Sequence, residues 1–320
     1  MKILTVDEFP DGWEADNVIL INQGFGSSWD PRTLRRYRRD RRYPRFADYV
    51  GLGAFEDDRL VGYLEVVRFP FRTPEEETTC SGIRHMVTAP DRTHQGLARH
   101  LLQEAHRREQ EFGSPFSLLY TRRSGGAHRL YETLGYRDVL DFPWATRAVP
   151  RGRTRLPRGY LWRPARPSDQ RAIILLHRAS VADSPGFTRR GVRWWPVTSG
   201  DSPHDGWGVL RRDGRTVGYA RVGTAYAIRN CWEAVAEGPA TADALVKAIE
   251  LETRGTWLVF VGSPTRAFRS ILRSSGYRES PTSHNALMGL SLRPSVVPEQ
   301  VRSALGADSP SFACADCDDF

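Results

Sequence analysis

Two short segments in the first half of the chain hold residues whose types and spacing could do chemistry. In VTAPDRTHQGLARHLLQEAHRREQEFG, residues 87–113, a strand runs through Pro90 into a turn and directly into a helix. Gly96 and Ala98 stand in the first turn of that helix, where small residues let the backbone approach a ligand closely. The unpaired amides of residues 95–99, together with the helix dipole, suit a pyrophosphate. A small-x-small pair opening a helix is also a common packing device. The second segment, RRSGGAHRLYETLGYRD at residues 122–138, puts Tyr131 on a short helix after the next strand. A phenol with a pKa of about 10 can give its proton to a departing thiolate when held near the sulfur. The same position equally suits an aromatic ring packed on a sheet.

The elements that must position these residues follow from apolar periodicity. Residues 80–89 read as a strand, 95–112 as an amphipathic helix, 116–120 as a buried strand and 127–134 as a short helix. That alternation predicts an α/β layer architecture. It also recurs. DDRLVGYLEV (57–66) returns as RDGRTVGYARV (212–222), and LYETLGYRD (130–138) returns as ILRSSGYRE (271–279), in the same order and with the same Gly-Tyr ending. Two similar domains in tandem are therefore expected, covering 1–150 and 151–297, followed by a C-terminal helix and tail at 298–320. The stretch ATRAVPRGRTRLPRGYLWRPARPSD (145–169), rich in Pro, Gly and Arg, reads as the linker, ending in the first strand of the second domain.

Length and composition agree with two cores. The chain has 320 residues, 40% of them hydrophobic, with 9 Trp, 14 Phe and 11 Tyr, enough apolar surface to exclude wholesale disorder. No run approaches the roughly 20 apolar residues of a membrane helix, and the start lacks a signal peptide's apolar core, so a cytoplasmic protein is expected. The 4 Cys residues are too sparse for a disulfide framework. The lone pair Cys314 and Cys317 supplies only two of the four ligands a structural zinc needs, so no metal is expected. The net charge of +8 is concentrated in Arg-rich stretches at 35–45 and 147–166. These could follow a polyanion, or form a solvated face and a linker.

Together, VTAP, the QGLA turn, the long helix after it and AHRLYETLGY resemble the GNAT acetyltransferase superfamily. The resemblance implies a mixed sheet flanked by helices and acetyl-coenzyme A as acyl donor. It places the pantetheine arm, added like a strand, along Met86, Val87 and Thr88. The pyrophosphate would meet the amides of His94, Gln95, Gly96, Leu97, Ala98 and Arg99, Ser124 stands where an Asn often contacts the cofactor, and Tyr131 matches the usual general acid. Thr93 replaces the Arg or Gln commonly found three positions before the first Gly, which implies weaker binding. The strand before the turn lacks the common Glu base and offers His85. In the second copy, AVAEGPATADALVKAIE (234–250) has Pro239 and no small-x-small pair, and Leu272 takes the place of Tyr131, so that domain reads as a degenerate, silent GNAT fold. A working domain followed by a degenerate one resembles a shortened member of the enhanced intracellular survival family. That likeness implies that the carboxylate of Phe320, or failing that Asp319, folds back beside Tyr131 and helps deprotonate the amine.

The expected function is transfer of an acetyl or longer acyl group from acetyl-coenzyme A to an amine of a small molecule by direct attack. Glu75, Glu76 and Glu77 are candidates to draw a cationic acceptor, or are a solvated turn. One alternative is an aminoacyl-tRNA-dependent amide-forming transferase in which residues 35–45 track RNA, although the retained phosphate turn argues against a nucleic-acid partner. Another is an acyl-coenzyme A sensor without catalysis.

Overall fold

The computed structural model describes residues 1–32, 49–141, 144–152, 155–187, 205–225, 228–261, 266–280, 285–309 and 312. Two seven-stranded mixed sheets, each flanked by helices, carry the fold. The first half contributes β1 (Lys2–Thr5), β2 (Tyr49–Glu56), β3 (Arg59–Arg72), β4 (Glu77–Thr88), β5 (Phe116–Arg122), β6 (Arg137–Asp141) and β7 (Ala145–Ala148). Its helices are α1 (Trp13–Phe25), α2 (Leu97–Phe112) and α3 (Gly126–Thr133). The second half contributes β8 (Tyr160–Pro164), β9 (Asp205–Arg212), β10 (Arg215–Ala225), β11 (Ile228–Ala236), β12 (Trp257–Phe260), β13 (Arg278–Glu279) and β14 (Asn285–Ser291). With them come α4 (Gln170–Ser180), α5 (Pro239–Glu252) and α6 (Arg266–Ser274).

The sheet orders are β1-β2-β3-β4-β5-β14-β6 and β13-β7-β12-β11-β10-β9-β8. The halves thus exchange a strand. β14 lies between β5 and β6, pairing antiparallel with both, and β7 lies between β12 and β13 in the other sheet. Sheet membership therefore crosses the boundary drawn at 150 in both directions, and the stretch read as linker opens with a strand. Local pattern explains both departures. NALMGLS is an apolar run that specifies a buried strand but not its neighbours, and ATRA is too short and polar for any period to show.

The sequence repeat is a structural repeat. In each half the helix after the fifth strand position ends on the same backbone bond, Tyr136 N–H to Tyr131 O at 3.1 Å and Tyr277 N–H to Leu272 O at 3.0 Å. The preceding glycines, Gly135 (φ 95°) and Gly276 (φ 82°), take the left-handed conformation that such a helix stop requires.

The first sheet is covered on both faces. On one, α1, α2 and α3 bury Leu20, Leu101, Leu102 and Tyr131 against Leu64, Val66, Leu119 and Met288. On the other, Val67, Phe71, Leu118 and Leu287 meet Phe187 from the second half and Phe312 from the C-terminal segment. Phe69 and Phe187 stack at 4.9 Å, and Arg72 and Gly186 exchange two backbone hydrogen bonds of 3.0 and 2.7 Å. The second half is thereby sealed onto the first sheet.

Behind this core, His106 of α2 contacts the Tyr136 hydroxyl at 2.9 Å, which also meets Ser117 Oγ at 2.7 Å. Burial holds the His106 imidazole down at about 4, because the charged form loses its hydration. A base whose folded-state pKa lies below its unfolded value near 6.5 contributes stability that is complete above that value and lost as pH falls toward 4. We expect this group to add about 1.4 kcal/mol of destabilisation per pH unit in that window. His106→Gln should flatten that part of the stability profile in urea melts; an unchanged slope would show that His106 takes no part in it.

Candidate active site

The first sheet is split at its centre. β4 pairs in parallel with β5 only where Ser81, Gly82 and Ile83 meet Ser117, Leu118 and Leu119, although both strands continue to Thr88 and Arg122. Beyond Ile83 the main-chain groups of β4 that face β5 have no ladder partner, and an extended ligand arm can take the place of a strand there. Met86, Val87 and Thr88 lie on this stretch. Val87 is buried against the core, while Met86 and Thr88 are half-buried.

A bulge makes the split. Tyr63 pairs with Val87 but Glu65 pairs with Arg84, so β4 carries one extra residue opposite β3. His85 occupies it with φ 51°, a left-handed backbone uncommon outside glycine. The bulge swings the end of β4 away from β5.

After β4, the 3-10 turn Pro90–Arg92 leads through Thr93, His94 and Gln95 to Gly96, which caps α2. The helix begins at Leu97, two residues later than the sequence pattern predicts, because His94 (φ 61°) and Gly96 (φ 81°) both adopt left-handed backbone. That alternation curls successive amides toward one point. Among the described residues, none of the amides of His94, Gln95, Gly96, Leu97, Ala98 and Arg99 donates to a backbone acceptor, and the first helical one that does is His100 N–H, to Gly96 O at 3.0 Å. Open amides at a helix N-terminus are the kind of donor set that can hold a pyrophosphate. Thr93, where a longer side chain is common, only returns its hydroxyl to Pro90 O at 3.1 Å. Neighbouring Arg92 is held by Glu56 at 2.8 Å and Asp91 at 3.3 Å. Arg99 bridges to Thr133 Oγ1 at 2.9 Å, tying the cradle to the end of α3.

Ser124 is exposed in the turn between β5 and α3. Tyr131 of α3 is 7% exposed and belongs to the cluster that includes Val87, Leu97 and Leu119, so its ring lies among residues from both sides of the split and from the cradle helix. Burial pushes its phenol up to about 12, so it is protonated at neutral pH.

Four residues gather at the bulge that the sequence pattern did not bring together. Glu65, 1% exposed, accepts from the Tyr63 hydroxyl at 2.8 Å, forms an ion pair with Arg84 whose Nε lies 3.2 Å away, and meets His85 Nδ1 at 3.0 Å. The signal for it was a charged residue inside the apolar run LVGYLEVV, since buried charges are paired. Glu75, Glu76 and Glu77, by contrast, lie at the start of β4, about 26 Å along the strand from His85 at 3.3 Å per residue. There Glu77 pairs with Arg72 and Glu76 with Arg293, so they do not face the split. Residues 35–45, Cys314, Cys317, Asp319 and Phe320 lie outside the described residues.

The second sheet repeats the split without the cradle. β11 pairs in parallel with β12 only over Arg229, Asn230 and Cys231. Its end runs through Glu237 and Gly238 straight into α5, where Pro239 removes one amide and Glu237, paired with Arg215, adds negative charge. Leu272, buried where Tyr131 stands in the first half, has no proton to give.

Among the described residues no helix is long and apolar enough to cross a membrane, and no group of three or more His, Cys, Asp or Glu could hold a metal ion.

Residues 14–139 match the family model of the acetyltransferase (GNAT) domain. No curated protein matches the chain. Among solved structures, a GCN5-related N-acetyltransferase from Kribbella flavida is similar at 16% identity and a TM-score of 0.66, covering 91% of this chain and 72% of its own. One from Anabaena variabilis gives 12% and 0.68, covering 91% and 73%. The N-myristoyltransferase of Saccharomyces cerevisiae with bound myristoyl-CoA gives 9% and 0.60, covering 90% and 82%. At these identities the structures establish the fold. With the family match, they support an acyltransferase built on a GNAT domain.

Proposed function

We propose that the chain transfers an acetyl or related acyl group from acetyl-coenzyme A to an amine of a small molecule, at one site formed by the split in the first sheet. The observation that carries this reading is the juxtaposition of six open amides at the head of α2 with the unpaired end of β4. Residues 94–99 would hold the pyrophosphate, Met86, Val87 and Thr88 would pair with the pantetheine arm, and Ser124 lies on the turn flanking the cradle. Acyl-coenzyme A supplies an activated thioester. An unpaired amide of the Met86 and Val87 stretch would stabilise charge developing on its carbonyl oxygen, and Tyr131 would hand its proton to the departing sulfur. The second half would bind no coenzyme A and would complete the first sheet through β14. A cradle-bearing half followed by one without supports kinship with the two-domain part of the enhanced intracellular survival family.

Calorimetry should find one acetyl-coenzyme A per chain, and thiol release should follow with some member of a panel of polyamines, aminoglycosides and amino-acid derivatives. Tyr131→Phe keeps the ring packing and deletes the proton. Turnover should fall roughly 10–1000-fold, within the scale of acid–base catalysis, with cofactor affinity held. Unchanged turnover with chemistry limiting would make Tyr131 structural. Tight binding without thiol release on any amine would favour a sensor.

A further inference from the structure

Building on the acyltransferase reading above, we propose that His85 is the general base for the acceptor amine and that Glu65 is its positioning residue. The geometry has four parts. His85 stands on the bulge where β4 leaves β5, next to the stretch along which the donor arm would lie. Its backbone takes φ 51°, a conformation that is strained for a non-glycine residue and persists where the surroundings enforce it. Its Nδ1 lies 3.0 Å from Glu65 Oε2, and Glu65 is itself fixed by the Tyr63 hydroxyl and by Arg84. Finally, the Phe25 and Trp29 rings stand edge-on to the imidazole at 5.8 and 6.3 Å, leaving the side chain 17% exposed.

With Nδ1–H donated to the carboxylate, Nε2 presents a lone pair, and the developing imidazolium is stabilised by a buried anion. This is the division of labour between an imidazole and a carboxylate in a hydrolytic triad. Among the described residues, the charged groups in contact with His85 are Glu65 from β3 and Arg84 from its own strand, and α1 and its following turn bring the Phe25 and Trp29 rings against it. In this structure Nε2 accepts a long hydrogen bond of 3.3 Å from the Arg84 guanidinium, which the acceptor amine would have to replace.

The protons balance. An ammonium acceptor gives one proton to solvent on entry, and its neutral nitrogen attacks the thioester carbonyl carbon. As the C–N bond forms, Nε2 takes a second proton from that nitrogen, while the C–S bond breaks and Tyr131 protonates the sulfur. His85 then returns its proton to water and Tyr131 regains one, leaving an amide, a free thiol and one released proton. In the second half β11 also carries one extra residue, and a Tyr219, Glu233 and His177 cluster is buried beside it; there the carboxylate takes the register position of His85, the imidazole comes from α4, and no described residue of the strand is left-handed.

The test is the split between kcat and KM, measured with acetyl-coenzyme A and one accepted amine. His85→Gln should keep acetyl-coenzyme A affinity and lower kcat about 100-fold at neutral pH. Glu65→Gln should lower kcat with KM held, and Glu65→Asp should restore part of it. An active wild type whose kcat is unaltered by His85→Gln overturns the assignment. Should His85→Gln lose acetyl-coenzyme A binding, Glu65→Gln decides, and a kcat that stays in place counts against the proposal. A wild type that binds acetyl-coenzyme A yet acylates no amine removes the acyltransferase reading instead, and this inference with it.

Discussion

Ending the chain before Asn285 should abolish acetyl-coenzyme A binding, although every residue assigned to the cradle and the split lies between positions 84 and 131. β14 is an interior strand of the first sheet. Its residues pair one by one with β5 from Asn285 opposite Arg122 to Ser291 opposite Phe116, and on the other side with β6. Without it β5 presents an open edge, and Leu287 and Met288, both fully buried, leave two facing cavities. A single substitution should approach the same result. Met288→Asp places a charge among apolar residues with no cation nearby, a change expected to cost more than about 4 kcal/mol against a total stability of roughly 5–15 kcal/mol. Circular dichroism melts and calorimetry on both proteins would show it. A truncated chain that melts cooperatively and binds acetyl-coenzyme A normally would mean that the strand exchange is dispensable.

Gly96→Val should remove binding while leaving the fold in place. Crowding is not the reason, since a Cβ at Gly96 would come no closer than 3.6 Å to the His100 ring. The reason is the backbone, because φ is 81° and a β-branched residue there is strained. Relief requires φ to change sign, which turns the amides of Gly96 and Leu97 away from the point on which the cradle converges. Hydrogen bonds to a charged group contribute about 1.5–3 kcal/mol each, so losing one or two should weaken acetyl-coenzyme A by roughly 100-fold or more. Gly113, with φ 93° at the far end of the same helix, supplies the control. Gly113→Val should lower the melting temperature and leave the affinity alone. Equal affinity in wild type and Gly96→Val would remove this turn from the site.

Sequence reading reached the features written locally. The turn into α2 was legible because Gly96, Ala98 and the apolar period of the helix sit within one turn of each other, and the repeat because Gly135 and Gly276 answer the same need at two helix ends. Features that depend on which strand meets which were not legible. The exchange of β7 and β14 is invisible in ATRA and NALMGLS, since strand partners are chosen by loop closure and by burial elsewhere. The link from Glu65 to His85 joins positions 20 apart in sequence across a bulge, and the bulge arises from a backbone sign that no side-chain type at position 85 announces. The two-residue error at the start of α2 has the same origin, for His94 and Gly96 both leave the right-handed region.

The exchanged strand also sets a timetable. On the ribosome, β5 and β6 emerge about 145 residues before β14, which at roughly 5–20 residues per second is a wait of about 7–30 s. Throughout it the centre of the first sheet has two open edges, the condition under which nascent chains pair with one another. The first half can collapse around its helices early, but its sheet closes only once β14 has emerged. Slow translation between codons 142 and 285 should therefore lower the soluble yield of this protein more than slow translation anywhere before β5.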